Sequence, residues 1–295
     1  MTAPVPFPAA LARGPRRRLW LGLLTVLGLS QRGFFIPHRH ADARPAPGCR
    51  LPYPAIESLL AECEPQFQEV LHWLDAVAAD LARIGTEPAD GNGPAPRWAQ
   101  SWFPRLDAAV AYTLVRRFAP RRIIEVGSGH STRFVARAIA DGNSACRITA
   151  IDPAPRADIS KLSIELRRQS VQDLAPEDVA DLRAGDFLII DSSHVLMPGS
   201  DVDFLLGRVL PALPTGVFVH FHDIFLPDDY PATWDWRGYN EQLGVLPLLC
   251  GSSWDVMFAS HYVATRMTGA VAESTVAALP LPPDVYESSL WIRAR

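Results

Sequence analysis

The second half of the chain repeats one pattern, in which a short run of apolar residues is followed by apolar positions at helical spacing. Short apolar runs bounded by turn residues predict buried strands, and an i, i+3, i+4 spacing predicts helices. After a first strand that ends at Glu125, the pattern predicts strands at residues 147–152, 168–172, 186–191 and 216–223, with helices at 131–141, 156–168 and 200–212. This alternation indicates an α/β fold with a Rossmann-like, doubly wound parallel sheet.

The remaining segments extend this pattern at both ends. Two late runs, Trp254–Ala259 and Ser288–Arg293, predict two further strands. Upstream, helical spacing between residues 56 and 81 contains Pro65, which either starts a second helix or kinks the first. Residues 37–54 are predicted to be a linker, 85–97 a loop and about 105–118 a helix. We therefore predict a helical N-terminal extension over residues 1–97 and one α/β domain over residues 98–295.

Composition restricts the class of protein. The chain has 295 residues, is 48% hydrophobic and carries a formal net charge of −4. Because nucleic-acid-binding domains usually have a basic footprint, this balance argues against a nucleic-acid partner. The four cysteines form no C-x-x-C pair, so the sequence indicates neither a zinc knuckle nor a disulfide framework. A reduced, cytoplasmic protein is the simplest interpretation.

The N-terminus modifies that interpretation. Arg16, Arg17 and Arg18 precede an apolar stretch, Leu19–Leu29, that is too short to span a bilayer as a helix. Basic residues before a short apolar core resemble a secretory signal, but no small-x-small cleavage site follows. We favour a helix that packs on the domain or lies on a membrane surface, and we predict a peripheral membrane contact through residues 16–29.

The turn after the first predicted strand is the most informative part of the chain. The acid Glu125 precedes a Gly-x-Gly turn, Gly127 and Gly129, and a helix follows. Glycines let the backbone approach a ligand closely, and N–H groups at the start of the helix offer donors to it. The pattern is typical of the nucleotide-binding corner of a parallel α/β sheet.

Three ligands or chemistries compete for this turn. The dinucleotide fingerprint has Gly or Ala where this chain has Thr132, and Glu125 would repel a pyrophosphate. The nucleophile elbow G-x-S-x-G fails at Arg133, although Ser131 with His222 offers a nucleophile and a base. S-adenosylmethionine satisfies every position, because Glu125 attracts its amino group, Asp152 suits its ribose and Gln172 with Asp173 suit its adenine.

A resemblance to a known family supports the third choice. The segments Glu-Val-Gly-Ser-Gly-His-Ser-Thr from Glu125, Ile-Ile-Asp-Ser-Ser-His ending at His194, and Val-His-Phe-His-Asp-Ile-Phe-Leu-Pro ending at Pro227 resemble the class I S-adenosylmethionine-dependent methyltransferases. The resemblance is greatest to a bacterial branch with D-x-x-H and H-D-I motifs after the fourth and fifth strands. It covers roughly residues 98–260 and implies a seven-stranded sheet whose last strand is antiparallel.

The sequence and the resemblance together give a set of candidate site residues. The cofactor-binding candidates are Glu125, Gly127, Ser128, Gly129, Ser131, Thr132, Asp152, Gln172 and Asp173, and the catalytic candidates are Asp191, His194 and His222. Resemblance to catechol-type and macrolide-sugar O-methyltransferases implies a divalent cation, Mg²⁺ or Mn²⁺, at Asp191 and Asp223. His222 is a third candidate ligand, although it stands where those families have an acid or another oxygen ligand. Without a metal, His194 or His222 would be a general base with an unshifted pKa near neutrality.

The predicted reaction is methyl transfer from S-adenosylmethionine to an oxygen, or else a nitrogen, of a small-molecule or glycan-type acceptor. Trp234, Trp236 and Tyr239 follow the fifth strand, where they can stack on an acceptor or pack a lid. Two alternatives share the fold, a noncatalytic cofactor-binding scaffold and an enzyme that resembles the cephalosporin hydroxylases. Fold alone does not choose among them.

Overall fold

A computed structural model describes residues 15–46, 48–85 and 93–295. The chain divides into two compact units, Met1–Leu51 with Asp229–Tyr239, and Pro52–Asp228 with Asn240–Arg295. In the described residues of the first unit, helix α1 (Pro15–Val26) and the 3₁₀ helix Ala232–Arg237 are the longest elements. The boundary expected after residue 97 stays a prediction.

The second unit contains the sheet and the helices around it. Its strands are β1 (Arg122–Val126), β2 (Arg147–Ile151), β3 (Glu165–Arg167), β4 (Phe187–Ile190), β5 (Phe218–Phe221), β6 (Trp254–Ala259) and β7 (Leu290–Ala294). Its α-helices are α2 (Pro54–Glu62), α3 (Glu64–Trp73), α4 (Ala78–Arg83), α5 (Arg105–Phe118), α6 (His130–Asp141), α7 (Pro176–Ala180), α8 (Asp201–Phe204), α9 (Glu241–Cys250), α10 (Ser260–Arg266) and α11 (Thr268–Glu273).

The seven strands form one sheet in the order β3-β2-β1-β4-β5-β7-β6. Strands β1 to β5 pair in parallel, and β7 is antiparallel to both β5 and β6. This confirms the predicted fold class, a Rossmann-like seven-stranded sheet with an antiparallel last strand. The strand order reverses between β1 and β4, and ligands of such sheets bind at that switch point, beyond the carboxyl ends of the strands.

Burial explains why the central strands are apolar throughout. Both faces of the sheet are covered, so β4 and β5 have no exposed residue, and Trp291 of β7 is fully buried. Helix α3 packs Phe67 edge-on against Phe258 of β6, with ring centroids 5.6 Å apart. Pro65 occupies the first turn of α3, where proline needs no backbone donor, so it starts a second helix.

Two predicted elements differ from the structure. The helix predicted at 156–168 is absent, and β3 lies at Glu165–Arg167 instead of 168–172. Pro153 and Pro155 lack backbone donors, and the Asp158 side chain accepts hydrogen bonds from the backbone and hydroxyl of Ser160. Such local side-chain bonds favour turns over a helix, and the apolar spacing of this segment does not reveal them.

The predicted helix at 200–212 is present but divided. It begins as α8, with the Ser200 side chain accepting from the backbone N–H of Asp203, and continues as a π-helix over Leu205–Val209. A 3₁₀ turn, Leu210–Ala212, ends it. Pro211 cannot donate to an α-helical ladder, which accounts for the change in hydrogen bonding before it.

The turn between β1 and α6 passes against the end of β4. Gly127 has φ +80°, and a Cβ at this position would lie well inside van der Waals contact with the backbone oxygen of Asp191. The backbone N–H of Asp191 in turn donates to the Val126 oxygen at 2.9 Å. Only glycine satisfies both the positive φ and the close approach, so the turn and the end of β4 are fixed together.

We expect Gly127→Ala to lower the free energy of unfolding by several kcal/mol, because backbone strain of about 1–3 kcal/mol is added to a steric clash. Gly185→Ala is the matched control, since Gly185 has φ +89° but a methyl group added there would meet nothing within 4 Å. It should lose only the strain contribution. Urea unfolding of both variants measures the difference, and equal losses would show that the contact with Asp191 is unimportant.

Candidate functional site

The β1–α6 turn holds its acid in a buried position. Glu125 is fully buried, and its Oε1 accepts a hydrogen bond of 2.6 Å from the Ser131 hydroxyl. The Thr132 hydroxyl accepts from the backbone N–H of Gly129 at 2.9 Å and closes the first turn of α6. Among the described residues, Oε2 of Glu125 has no hydrogen-bond partner. A buried carboxylate oxygen without a donor is costly, and a ligand N–H group would satisfy it.

Burial raises the pKa of Glu125 to about 7, with smaller raising contributions from Asp191 and Asp152, although the nearby hydroxyl groups of Ser131 and Thr132 oppose the shift. The carboxyl group is therefore poised between its neutral and anionic forms at physiological pH. An ammonium group placed at Oε2 would favour the anion, whereas the negative charge of a pyrophosphate would favour the neutral form. The electrostatics of the turn suit a cationic ligand group.

Asp152, at the end of β2, shapes the same turn. Its Oδ2 accepts from the backbone N–H and the hydroxyl of Ser128, at 2.7 and 2.9 Å, and its Oδ1 accepts from the backbone N–H of Ala154. The carboxylate thus fixes the glycine turn, while its role toward a ribose stays a prediction. Gln172 and Asp173 lie in a 3₁₀ turn, Val171–Asp173, and are exposed. Their role toward an adenine also stays a prediction.

The other predicted residues meet at the ends of β4 and β5 as a cluster of carboxylates and imidazoles. The His194 Nε2 lies 3.3 Å from Asp191 Oδ1 and 3.5 Å from Asp223 Oδ2. The His222 Nδ1 lies 3.6 Å from Asp191 Oδ1 and 3.5 Å from Asp223 Oδ1. Of the four side chains, only Asp191 is substantially accessible, at 24% exposure, whereas the other three are below 10%. Asp191 is therefore the side chain of these four that is most accessible from solvent.

Sequence analysis missed two members of this cluster, Asp107 and Glu241. The Nδ1 of His194 lies 2.8 Å from Oε2 of Glu241, the first residue of α9, and both side chains are buried. Asp107 of α5 is fully buried, lies 3.4 Å from the His222 Nε2 and accepts the backbone N–H groups of Ser288 and Ser289. An acid inside the apolar stripe of α5 was the available signal for Asp107.

The pKa values of both histidines depart from the expectation of an unshifted base. Burial lowers the pKa of His194, but Asp191, Glu241 and Asp223 raise it well above its ordinary value. Burial likewise lowers the pKa of His222, and Asp223, Asp191 and Asp107 raise it well above the ordinary value. The prediction of an unshifted pKa was wrong, because the sequence did not place so many carboxylates around each ring.

Two of the carboxylates, Asp191 and Asp107, have lowered pKa values, whereas burial raises the pKa of Glu241. Burial raises the pKa of Asp191, yet His222 and His194 hold it well below its usual range. The pKa of Asp107 is also lowered, because His222 and other hydrogen-bond partners outweigh the effect of burial. At neutral pH the cluster therefore contains imidazolium–carboxylate pairs, which is the condition under which such charges are tolerated in a protein interior.

Backbone geometry marks the same place. His194 and Asp223 have φ of +58° and +56°, in the left-handed region that non-glycine residues rarely adopt. The His194 carbonyl accepts the backbone N–H groups of Asn240 and Glu241, at 3.0 and 3.2 Å, which fixes the loop after β4 to the start of α9. Residues keep such rare conformations only where the surrounding contacts hold them in place, and residues of this kind are frequent at functional sites.

The predicted metal ligands Asp191, His222 and Asp223 lie together in this cluster, and their role toward a metal stays a prediction. In the described ranges, no group of three or more His, Cys, Asp or Glu side chains is arranged to hold a metal ion. The donor atoms of Asp191, His222 and Asp223 face one another as ion pairs, with the His222 Nδ1 3.6 Å from Asp191 Oδ1 and 3.5 Å from Asp223 Oδ1.

The remaining histidines and aromatic residues have structural surroundings. His220 is fully buried, pairs with the Ser289 hydroxyl at 2.8 Å, and has a pKa that burial lowers to about 3. Ser131 bonds to Glu125 and not to a histidine, which removes the basis for a nucleophile elbow. In the first unit, the Arg237 guanidinium lies 3.8 Å from the centre of the Trp234 ring and 5.4 Å from that of Tyr239. The acceptor lid stays a prediction.

Comparison with known proteins agrees with this geometry. Residues 124–224 match a family model described as "Methyltransferase domain". The matched segment runs from the glycine turn to the end of the Asp191–Asp223 cluster. A methyltransferase is also the class of enzyme that the motifs of these residues resemble. No curated protein matches the chain.

Several solved methyltransferases are similar to the chain at low identity. An SAH-bound methyltransferase from Podospora anserina has 16% identity over 89% of this chain and 99% of its own, with a TM-score of 0.41. An O-methyltransferase from Bacillus cereus in complex with SAH has 13% identity over 77% and 91%, with a TM-score of 0.41. TomG from Streptomyces achromogenes, an O-methyltransferase in complex with SAM, has 16% identity over 74% and 89%, with a TM-score of 0.40. Such scores say nothing about the acceptor.

The pKa of Glu125 gives a pH-dependent prediction. Because its folded-state pKa is raised from 4.5 to about 7, the folded protein binds more protons than the unfolded chain between these values, and its stability falls as pH rises through them. Glu125→Gln removes this loss and keeps the bond from Ser131. The stability of the variant relative to wild type should therefore increase by about 3 kcal/mol between pH 4.5 and 8, at 1.36 kcal/mol per pKa unit.

Urea unfolding at the two pH values measures this change without any ligand. Glu69→Gln, an exposed position on α3, is the matched control and should show no pH-dependent difference from wild type. A Glu125→Gln difference that is the same at both pH values would contradict the raised pKa.

Proposed function

We propose that this methyltransferase transfers a methyl group to a hydroxyl oxygen of a small-molecule or glycan-type acceptor. The observation that carries the proposal is the position of Asp191, the one accessible carboxylate of an otherwise buried cluster at the sheet's switch point. A substrate hydroxyl that approaches from solvent could donate a hydrogen bond to the Asp191 carboxylate. The His194 ring, which can bind a proton, lies directly behind that carboxylate. Nitrogen acceptors are the second choice, since they rely less on a base.

Glu125 and the glycine turn are the residues proposed to hold the cofactor. The unpartnered Oε2 of Glu125 offers a hydrogen bond to an amino group, and the N–H groups of the turn approach without a Cβ in the way. When bound, S-adenosylmethionine supplies a methyl group on a sulfonium, which passes to a nucleophilic oxygen as the carbon–sulfur bond breaks. The protein's part is to orient the acceptor and to take its proton.

The proton acceptor we propose is the pair formed by Asp191 and His194. In the working form His194 is neutral, so that Nδ1–H donates to Glu241 and the lone pair of Nε2 faces Asp191. The acceptor hydroxyl donates to Asp191, and its proton passes on to Nε2 of His194. Glu241 fixes the tautomer and orientation of the ring, as the carboxylate of a catalytic triad does. His222, fixed by Asp107, keeps Asp191 anionic.

The partners and location follow from the same proposal. A small, hydroxylated acceptor fits a site whose accessible group is a single carboxylate, and nucleic acid is not expected. The four cysteines are free, which supports the proposed cytoplasmic location. The predicted membrane contact through residues 16–29 concerns the first unit and is independent of the acceptor.

Transfer of labelled methyl from S-adenosylmethionine to a panel of hydroxylated small molecules and sugars tests the function. With an acceptor found, kcat should rise with pH above neutrality, because the raised pKa keeps His194 protonated at lower pH. Glu241→Gln should move the midpoint of this rise to lower pH, since it removes a charge that raises the pKa of His194. His194→Asn should abolish the rise and lower kcat by ~10²–10⁴-fold.

Two further measurements separate the competing explanations. Asp235→Asn, in the first unit, is the control and should keep the wild-type pH profile. Activity that is lost with EDTA and restored by Mg²⁺ or Mn²⁺ would contradict the base mechanism, and so would a pH profile that Glu241→Gln leaves unmoved. A chain that binds the cofactor but transfers no label to any acceptor would favour the noncatalytic alternative.

A further inference from the structure

The first unit exposes an apolar face that its own packing does not use. Eight large apolar side chains within an eighteen-residue stretch are 47–67% exposed, and we call them the N-terminal apolar face: Leu19, Leu23, Val26, Leu27, Leu29, Phe34, Phe35 and Ile36. Large exposed apolar patches are rare on soluble monomers and mark surfaces that interact with a partner or a membrane, and eight exposed apolar side chains so close along the chain indicate such a surface.

Helix α1 presents this face outward while its opposite side packs. Leu19, Leu23 and Val26 follow the i, i+4, i+7 spacing of one helical face, whereas Leu24, on the other side, is only 6% exposed. Within the unit, Arg18 Nη1 donates to the backbone oxygen of Asp235 at 3.1 Å and to its Oδ2 at 3.3 Å. These bonds connect α1 to the 3₁₀ helix Ala232–Arg237. The exposed leucines of α1 therefore lie on a helix that is already packed within its unit.

Basic residues dominate the segment that carries this face, although Arg18 pairs with Asp235 in the same unit. Residues 15–41 contain five arginines and no acidic residue, a formal charge of +5, whereas the whole chain is −4, which leaves −9 on all other residues. The basic positions lie at both ends of the apolar face, with Arg16, Arg17 and Arg18 before it and Arg32 and Arg39 within and after it. Arginines beside apolar side chains are the combination that binds anionic lipid headgroups and the underlying acyl boundary.

The dimensions of α1 exclude a spanning role for this helix. Its twelve residues are about 18 Å long, and the hydrocarbon core of a bilayer is ~30 Å thick. None of the helices in residues 15–46, 48–85 and 93–295 has the length and apolar content that a bilayer crossing requires. A helix of this length can lie in the plane of the membrane interface.

We propose that the N-terminal apolar face docks the protein on an anionic membrane surface, with α1 lying in the interface. A second copy of the chain is the poorer occupant, because a symmetric contact would set the arginines of one protomer against the same arginines of the other. Anionic headgroups neutralise these charges, and the eight apolar side chains enter the boundary region. Residues Phe34, Phe35 and Ile36 add the bulk that a single short helix lacks.

Vesicle co-sedimentation of the full-length protein tests the proposal without cofactor or acceptor, so its outcome is independent of the methyltransferase activity. Wild type should bind vesicles of phosphatidylcholine with 30% phosphatidylglycerol and be released by 0.5 M NaCl, since salt screens the arginines. It should bind pure phosphatidylcholine vesicles weakly. The triple variant Arg16→Gln, Arg32→Gln, Arg39→Gln should lose roughly a hundredfold in partition coefficient on the anionic vesicles.

Apolar variants complete the test. Leu19→Gln, Leu23→Gln, Phe34→Ser and Phe35→Ser together should abolish sedimentation, and circular dichroism should show an unchanged fold because these side chains are exposed. Leu243→Gln with Leu281→Gln, exposed positions in the second unit, is the matched control and should bind as wild type does. Wild type that stays in the supernatant with anionic vesicles overturns the proposal. The proposal is also overturned if the protein does not bind vesicles but forms a concentration-dependent dimer in sedimentation velocity, and if the apolar variant abolishes that dimer.

Discussion

The close approach between the β1–α6 turn and the end of β4 is the constraint on which the rest of the site depends. Gly127 lies so near the Asp191 backbone that no side chain fits, and the backbone bond from Asp191 to Val126 keeps the two strand ends in register. The same contact positions two chemical functions. Glu125 sits just before the turn with one carboxylate oxygen open to a donor, and the Asp191 side chain begins the charge cluster beside it. The proposed cofactor site and the proposed acceptor site are therefore linked through backbone geometry.

The cluster at β4 and β5 is a balance of buried charges. Two imidazoles lie among four carboxylates, and neither set would be stable in the interior without the other. Each histidine has a separate carboxylate on its far side: Glu241 Oε2 lies 2.8 Å from the His194 Nδ1, and Asp107 Oδ2 lies 3.4 Å from the His222 Nε2. Left-handed backbone at His194 and Asp223 shows that the fold accepts strain to achieve this arrangement. Because this arrangement costs free energy and leaves Asp191 accessible, we infer that it serves the proposed reaction and not the stability of the fold.

Much of this architecture could be predicted from the sequence, for identifiable reasons. Apolar runs ending in Glu125 or Asp191 gave strong signals for β1 and β4, and α5 and α6 followed their helical spacing closely. The prediction of a helix before β3 was wrong because an Asp158–Ser160 turn competes locally with helix formation. Asp107 and Glu241 were missed because their histidine partners are far away along the chain, and no local pattern reports such contacts. The prediction of unshifted histidine pKa values was wrong for the same reason, since Glu241 and Asp107 contribute to the shifts.

Isothermal titration of the purified full chain with S-adenosylmethionine, and separately with NAD, tests the central claim most directly. The open oxygen of Glu125 predicts one-to-one binding of S-adenosylmethionine, no binding of NAD, and at least tenfold weaker S-adenosylmethionine binding in Glu125→Gln, roughly 1.4 kcal/mol for a lost charge-assisted contact. Binding of NAD alone, or S-adenosylmethionine affinity that Glu125→Gln leaves unchanged, would contradict the account.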